Sequence, residues 1–183
     1  MDIELAELDK RLRIAFEQRA FRVLAVNPAY ASDAARALEQ RLELSARPLD
    51  TLLIAAMNAV MSEKKIRPDV VHAADREGRS GPGWPRLRAL MELAEARVIA
   101  ELLADPSPLL LTRPGLLARY DLSKLLTALL ERSQEDDAQA IFLMVPARDR
   151  GGIPRINDQL TIPGLLPTHV LRIPRTFTPP PSA

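Results

Sequence analysis

Residues Leu109–Asp121 read LLLTRPGLLARYD, and the parsing of this stretch decides the fold. Leu109, Leu110 and Leu111 form an uninterrupted apolar run that reads as a buried strand closing at Thr112. Arg113 and Pro114 stop it, because proline has no N–H for a ladder and restricts the residue before it. Beyond the turn, Leu122, Leu125, Leu126, Leu129 and Leu130 recur at helical spacing, with Asp121 placed as the N-cap. A second apolar run, AIFLMVP (Ala140–Pro146), follows. Two such strands joined through a helix form a βαβ unit, whose strands are parallel and covered on both faces. The expected fold class is therefore α/β, a small, mostly parallel sheet of three or more strands with helices on both faces.

Working outward, FRVLAVNP places a further strand at Phe21–Val26, ended by Asn27 and Pro28. Leu5, Leu8, Leu12, Ala15 and Phe16 mark an amphipathic helix over 3–19. Ser32 and Asp33 read as N-cap and first-turn acid of a helix carrying Ala35, Leu38 and Leu42. Pro48 and Asp50 open the helix of Leu49, Leu52, Leu53, Ala56, Met57 and Val60. Leu87, Leu90, Met91, Ala94, Val98 and Leu102 define another, from Pro85 to about Leu103. Between these two helices, SEKKIRPDVVHAADREGRSGPGWP reads as a long basic loop over 62–85. After Ala147 helical period is lost. A turn or hairpin is expected around Asn157 and Asp158, then a short edge segment between Pro167 and Pro174. One domain over 1–174 and an irregular, Pro-rich, disordered tail over 175–183 complete the expected organisation.

Composition narrows the function classes. The chain has 183 residues, 47% of them hydrophobic, enough for one domain with a sizeable core. Lys and Arg number 25 against 24 Asp and Glu, a net charge of +1 that gives no whole-molecule field toward nucleic acid or membrane. With no Cys and only His72 and His169, thiolate chemistry and a histidine-rich metal site are excluded, and no cofactor is expected. No apolar run reaches the roughly 20 residues of a membrane span. The start Met1-Asp2-Ile3-Glu4 lacks the basic region of a secretory signal, so a cytoplasmic protein is expected. Abundant Ala, Leu and Arg suggest a bacterial source with a GC-rich genome.

Two groups of polar residues stand out. Ligands of open α/β folds gather at the C-terminal ends of strands. Thr112, Arg113, Arg119 and Asp121 are therefore one candidate binding edge, and Asn27, Tyr30, Pro146, Arg148 and Asp149, from the other strand ends, could complete a single crevice. The plainer role is structural, with Thr112 and Asp121 as caps and Tyr120 packed through a hydrogen-bonded hydroxyl. The second group is Lys64, Lys65, Arg67, Arg76, Arg79, Arg86 and Arg88 with Trp84. It suits phosphates and a stacked base, or a protein docked around Trp84. No GxxxxGK[ST] or GxGxxG motif is present. His72 near Asp75 has no nucleophile beside it, and Glu135, Asp136 and Asp137 read as a solvated charge run. No catalytic residue is assigned.

Taken in order, FRVLAVNP, LDTLLIAAM, the GW turn, LLLTRPGLLARYD, IFLMVP and PRINDQLTIP with LRIP resemble a C-terminal-type domain of PglW, the large Ser/Thr kinase of BREX phage-defence systems. The resemblance spans about Phe21 to Pro174. Kinase activity does not carry over, since the chain has no glycine-rich loop before a catalytic Lys, no His-Arg-Asp and no Asp-Phe-Gly. What the resemblance implies is a non-catalytic interaction or regulatory domain that docks onto protein components of a defence complex. Nucleic-acid binding through the 64–88 segment and small-molecule or nucleotide binding at the 112–121 edge are the alternatives.

Overall fold

The structure is a computed structural model describing residues 3–148 and 151–177. Helix α1 (Ile3–Glu17) precedes strand β1 (Phe21–Val26). A 3-10 turn, Pro28–Tyr30, leads into helix α2 (Ala31–Leu42). Strand β2 (Ala46–Pro48) runs directly into helix α3 (Leu49–Lys64), followed by α4 (Pro68–Glu77) and α5 (Trp84–Ala104). Strand β3 (Leu109–Thr112), helices α6 (Gly115–Tyr120) and α7 (Lys124–Arg132), and strand β4 (Ile141–Pro146) form the βαβ unit legible in the opening stretch. A long connection holds one antiparallel bridge, Ile156 to Leu160, around the Asn157-Asp158 turn, and ends in edge strand β5 (Val170–Ile173).

All five strands are parallel, in the order β2-β3-β4-β1-β5. The alternation along β4 shows why both faces are apolar. Ile141, Leu143 and Val145 pack with α3 to α7, whereas Phe142 and Met144 pack with α1, α2 and Phe177. Leu111 lies beside Leu143 on the first face and Leu110 beside Phe142 on the second. β1 exits toward β2 across β4 and β3, while β4 exits toward β5 across β1, so the two central connections diverge.

Several local expectations are corrected. The 62–85 segment is not a long loop. α3 runs to Lys64, α4 occupies ten residues, and Trp84 already begins α5. Pro68 in the first turn and Gly78 as C-cap bracket α4, and its Val71 and Ala74 reach the core. Asp121 does not cap α7. It is the C-cap of α6, in the left-handed conformation with φ 58°, and Ser123 precedes α7. Tyr30, not Ser32, precedes α2, and Pro48 lies one position outside α3. Phe177, expected in the tail, is 1% exposed and lies under the Arg41 guanidinium, 4.4 Å from its ring centroid. Residues 178–183 lie outside the described residues. Among the described residues no helix is long and apolar enough to cross a membrane.

Candidate functional site

The two polar groups picked out in the sequence meet where α4, α5 and α6 join. Tyr120 closes α6 with its ring stacked on Trp84 at 5.4 Å, and its hydroxyl donates to Asp75 Oδ1 at 2.7 Å. Arg119 donates to the same oxygen from Nη2 at 2.7 Å and from Nε at 3.1 Å. Arg79 donates to the carbonyls of Ala118 and Arg119, both at 3.1 Å, so it satisfies acceptors that a helix end leaves open. Arg88 stands 3.7 Å from Asp121 and 3.4 Å from Glu92.

Burial pushes the Asp75 carboxyl up, but the Arg119 guanidinium and the Tyr120 hydroxyl together outweigh it and hold the group below the usual carboxylate range. Burial, and then the hydrogen bond to Asp75, push the Tyr120 phenol up. A carboxylate stabilised in this way is a weak proton acceptor, and a phenol raised in this way is a weak acid. The cluster thus ties three helices together.

At the C-terminal edge of the sheet, Arg113 adopts φ 54° directly after β3, and its guanidinium meets Asp50, in the first turn of α3, at 2.7 Å. An open groove of about 450 Å³ lies here, with Asp50, Ile54, Arg113, Leu116, Arg119 and Asn157 in its walls. Thr112 is buried as the last residue of β3. Asn27 folds back to accept the Ala29 N–H at 3.0 Å, and Tyr30 lies under Arg175 at 4.9 Å. Asn27 and Tyr30 stand apart from the groove walls, because β4 separates β1 from β3 and α2 lies on the opposite face from α6, and Arg148, two residues beyond Pro146, is exposed. Among the described residues the crevice thus forms between the ends of β3 and β4, where Arg113 and Pro146 share its walls, and does not extend to β1. Asp149 lies outside them.

The basic segment is divided by its helices. Lys64 ends α3, Lys65 is its left-handed cap, and Arg67 precedes α4 paired with Asp69. Arg76 and Arg86 are exposed on α4 and α5, as is His72. The acidic run is not wholly free either, because Glu135 and Asp137 both grip Arg132 and raise its pKa. Sequence reasoning passed over Glu95 and Gln139, both 1% exposed. Glu95 accepts the Leu125 N–H at 2.8 Å, while Gln139 Nε2 donates to the Leu102 carbonyl at 3.4 Å. Among the described residues no group of three or more His, Cys, Asp or Glu is placed to hold a metal ion.

An apolar concavity lies between α4 and α5. This groove of about 720 Å³ has Ile66, Val70, Val71, Pro82, Leu87 and Leu90 in its walls. Asp69 and Glu77 rim it from α4 and Arg86 from α5. Val70, 56% exposed, lies in its wall beside the buried Val71, Leu87 and Leu90. No protein-family model matches the chain, and no curated protein or solved structure matches it significantly. Fold and site together define an all-parallel α/β domain with an apolar surface groove and self-contained polar clusters.

Proposed function

We propose that the chain is a non-catalytic interaction domain that seats an amphipathic helix of a partner protein between α4 and α5. The observation that carries this reading is the apolar groove around the exposed Val70. α4 is ten residues long, about 15 Å, which matches roughly three turns of a ligand helix presenting anchors at i, i+3, i+4 and i+7. Acidic residues on the α4 rim and Arg86 on the α5 rim favour a helix with basic groups on one flank and an acidic group on the other. The resemblance to PglW supports a partner that is another component of a BREX-type phage-defence assembly.

A photo-activated cross-linker at position 70, compared in the native host with one at Arg13 on the opposite layer, tests the reading. Its expected product is an adduct with one protein through a helical segment. Val70→Asp should then weaken binding of that segment tenfold or more, about 1.4 kcal/mol, with an unchanged melting temperature because the site is on the surface. Undiminished binding by Val70→Asp, or adducts confined to nucleic acid, would overturn it.

A further inference from the structure

Helix α1 packs on the sheet face that carries Leu24, Phe142, Met144 and Leu171, yet it is seated on a narrow stripe. Of its described side chains only Leu8, Leu12 and Ala15 are buried, one per turn, with Leu5 and Phe16 half-buried beside them. Hollows flank the helix on both sides. Toward α2 lies one of about 470 Å³, with Leu12, Phe16 and Leu42 in its walls, and toward β5 one of about 560 Å³, with Leu8, Val170 and Pro174. An element with few buried apolar contacts opens at lower cost than the core beneath it. The connection from α1 to β1 is only residues 18–20, with Arg19 in the left-handed conformation at φ 52°, so few torsions have to change to swing the helix away.

The segment after β5 reaches this same helix. The chain turns there, the Phe177 N–H donating to the Pro174 carbonyl at 3.0 Å and the Arg175 guanidinium lying over the Tyr30 ring. The turn delivers Phe177 into the apolar layer of Leu8, Leu12 and Phe142, where it is 1% exposed. Arg41 of α2 lies over its ring and donates to Asp9 of α1. One guanidinium thus holds both a carboxylate on α1 and the face of Phe177. Withdrawing the ring empties the slot beneath this ion pair. Lifting α1 takes Asp9 from Arg41 and uncovers the layer in which the ring lies. Each event removes contacts that hold the other closed.

We propose that α1 is a hinged cover on this face of the sheet and that Phe177 is its latch. The cover opens as a unit about residues 18–20 and leaves the strands and the helices of the other layer in place. The coupling is reciprocal: a protein that takes hold of the segment around Phe177 releases α1, and one that seats beneath α1 frees Phe177. The cover lies on the opposite layer from the α4–α5 groove, so it stands or falls independently of the function proposed for that groove.

Native-state hydrogen exchange of the full chain, read by mass spectrometry across sub-denaturing guanidinium, tests this. The amides of 8–17 should exchange as one group, faster than those of β1, β3 and β4. Their dependence on denaturant should be weaker, because opening exposes less surface than unfolding. Phe177→Ala should speed that group roughly tenfold or more. Phe177→Leu keeps an apolar side chain but loses the ring under Arg41, and Asp9→Asn loses the ion pair; each should speed the group several-fold in a chain that still melts cooperatively. Amides of α1 that exchange only together with the core overturn the cover. An independent opening whose rate is the same in the parent chain, Phe177→Ala and Phe177→Leu overturns the latch.

Discussion

Glu95 sits on the buried face of α5, where its carboxylate accepts the Leu125 N–H and replaces the side-chain cap that Ser123 does not give α7. Burial raises its pKa, and the Leu125 N–H only partly offsets this. Because the folded value lies above the unfolded one, the associated stability is fully present below the ordinary carboxylate range and declines as pH rises through the raised value. Glu95→Gln keeps the acceptor without the buried charge. It should raise the melting temperature at about pH 7 and add nothing at about pH 4, near the unfolded pKa. Glu95→Ala should instead cost about 1–3 kcal/mol by leaving a buried N–H unpaired. Calorimetry at the two pH values separates these outcomes. Asp75 has the opposite sign. Its lowered pKa means that its contribution is present above the ordinary carboxylate range and is lost as pH falls through the lowered value. Tyr120→Phe, which removes one donor to Asp75, should cost about 0.5–1.5 kcal/mol by chemical denaturation and make the acid loss smaller and complete at higher pH. The burial of Glu95 was legible in principle, since it lies four residues after Met91 and three before Val98 in the core stripe. The role of Asp121 was not, because an Asp between two helical stretches serves equally as the end of one or the start of the next.

At the scale of elements, the misread segment was α4. Its ten residues contain only Val71 and Ala74 as buried positions, too few to establish a period, and the Gly and Pro around it are loop signals elsewhere. The structure shows what those residues do instead. A Cβ on Gly83 would meet Ala74 Cβ at 2.7 Å, so the missing side chain is what lets α4 dock at the start of α5. Gly83→Ala should therefore destabilise the junction by about 1–3 kcal/mol, as overpacking does. The added hydrogen exchange should be concentrated in 68–77, and pairing the change with Ala74→Gly should recover most of the loss. Equal exchange throughout the chain would place the defect elsewhere. β2 escaped the sequence for a different reason. Ala46–Pro48 has three half-buried residues and ends in proline, which suits a short sheet edge and leaves no apolar alternation to read.

For the whole molecule, the near-continuous apolar runs of β1, β3 and β4 were enough to give a parallel sheet covered on both faces. Leu110 and Leu143 are fully buried on opposite faces of it, so Leu110→Asp and Leu143→Asp should each remove the single cooperative melt, an unpaired buried carboxylate costing several kcal/mol against a total of about 5–15. Charge was harder to read, because a linear count does not show which cations are spent internally. Of the basic residues that suggested a nucleic-acid surface, Arg67 is paired with Asp69, Arg79 is turned into the end of α6 and Arg88 lies between Glu92 and Asp121. Lys64, Lys65, Arg76 and Arg86 stay exposed but are distributed over three helices. Phosphate contacts along one backbone need cations on one track, and a net charge of +1 adds no long-range attraction. The protein should therefore not retard single- or double-stranded DNA or RNA at about 50 mM salt and micromolar concentrations, where even non-specific binders are retained. If it does, the log–log salt slope counts the phosphates, at about 0.7–0.9 each. Neutralising those four exposed side chains then either lowers the slope by their number or shows that the backbone runs elsewhere. Sequence-independent binding lost with those four would make the nucleic-acid reading the correct one and remove the reason for assigning this surface to protein docking.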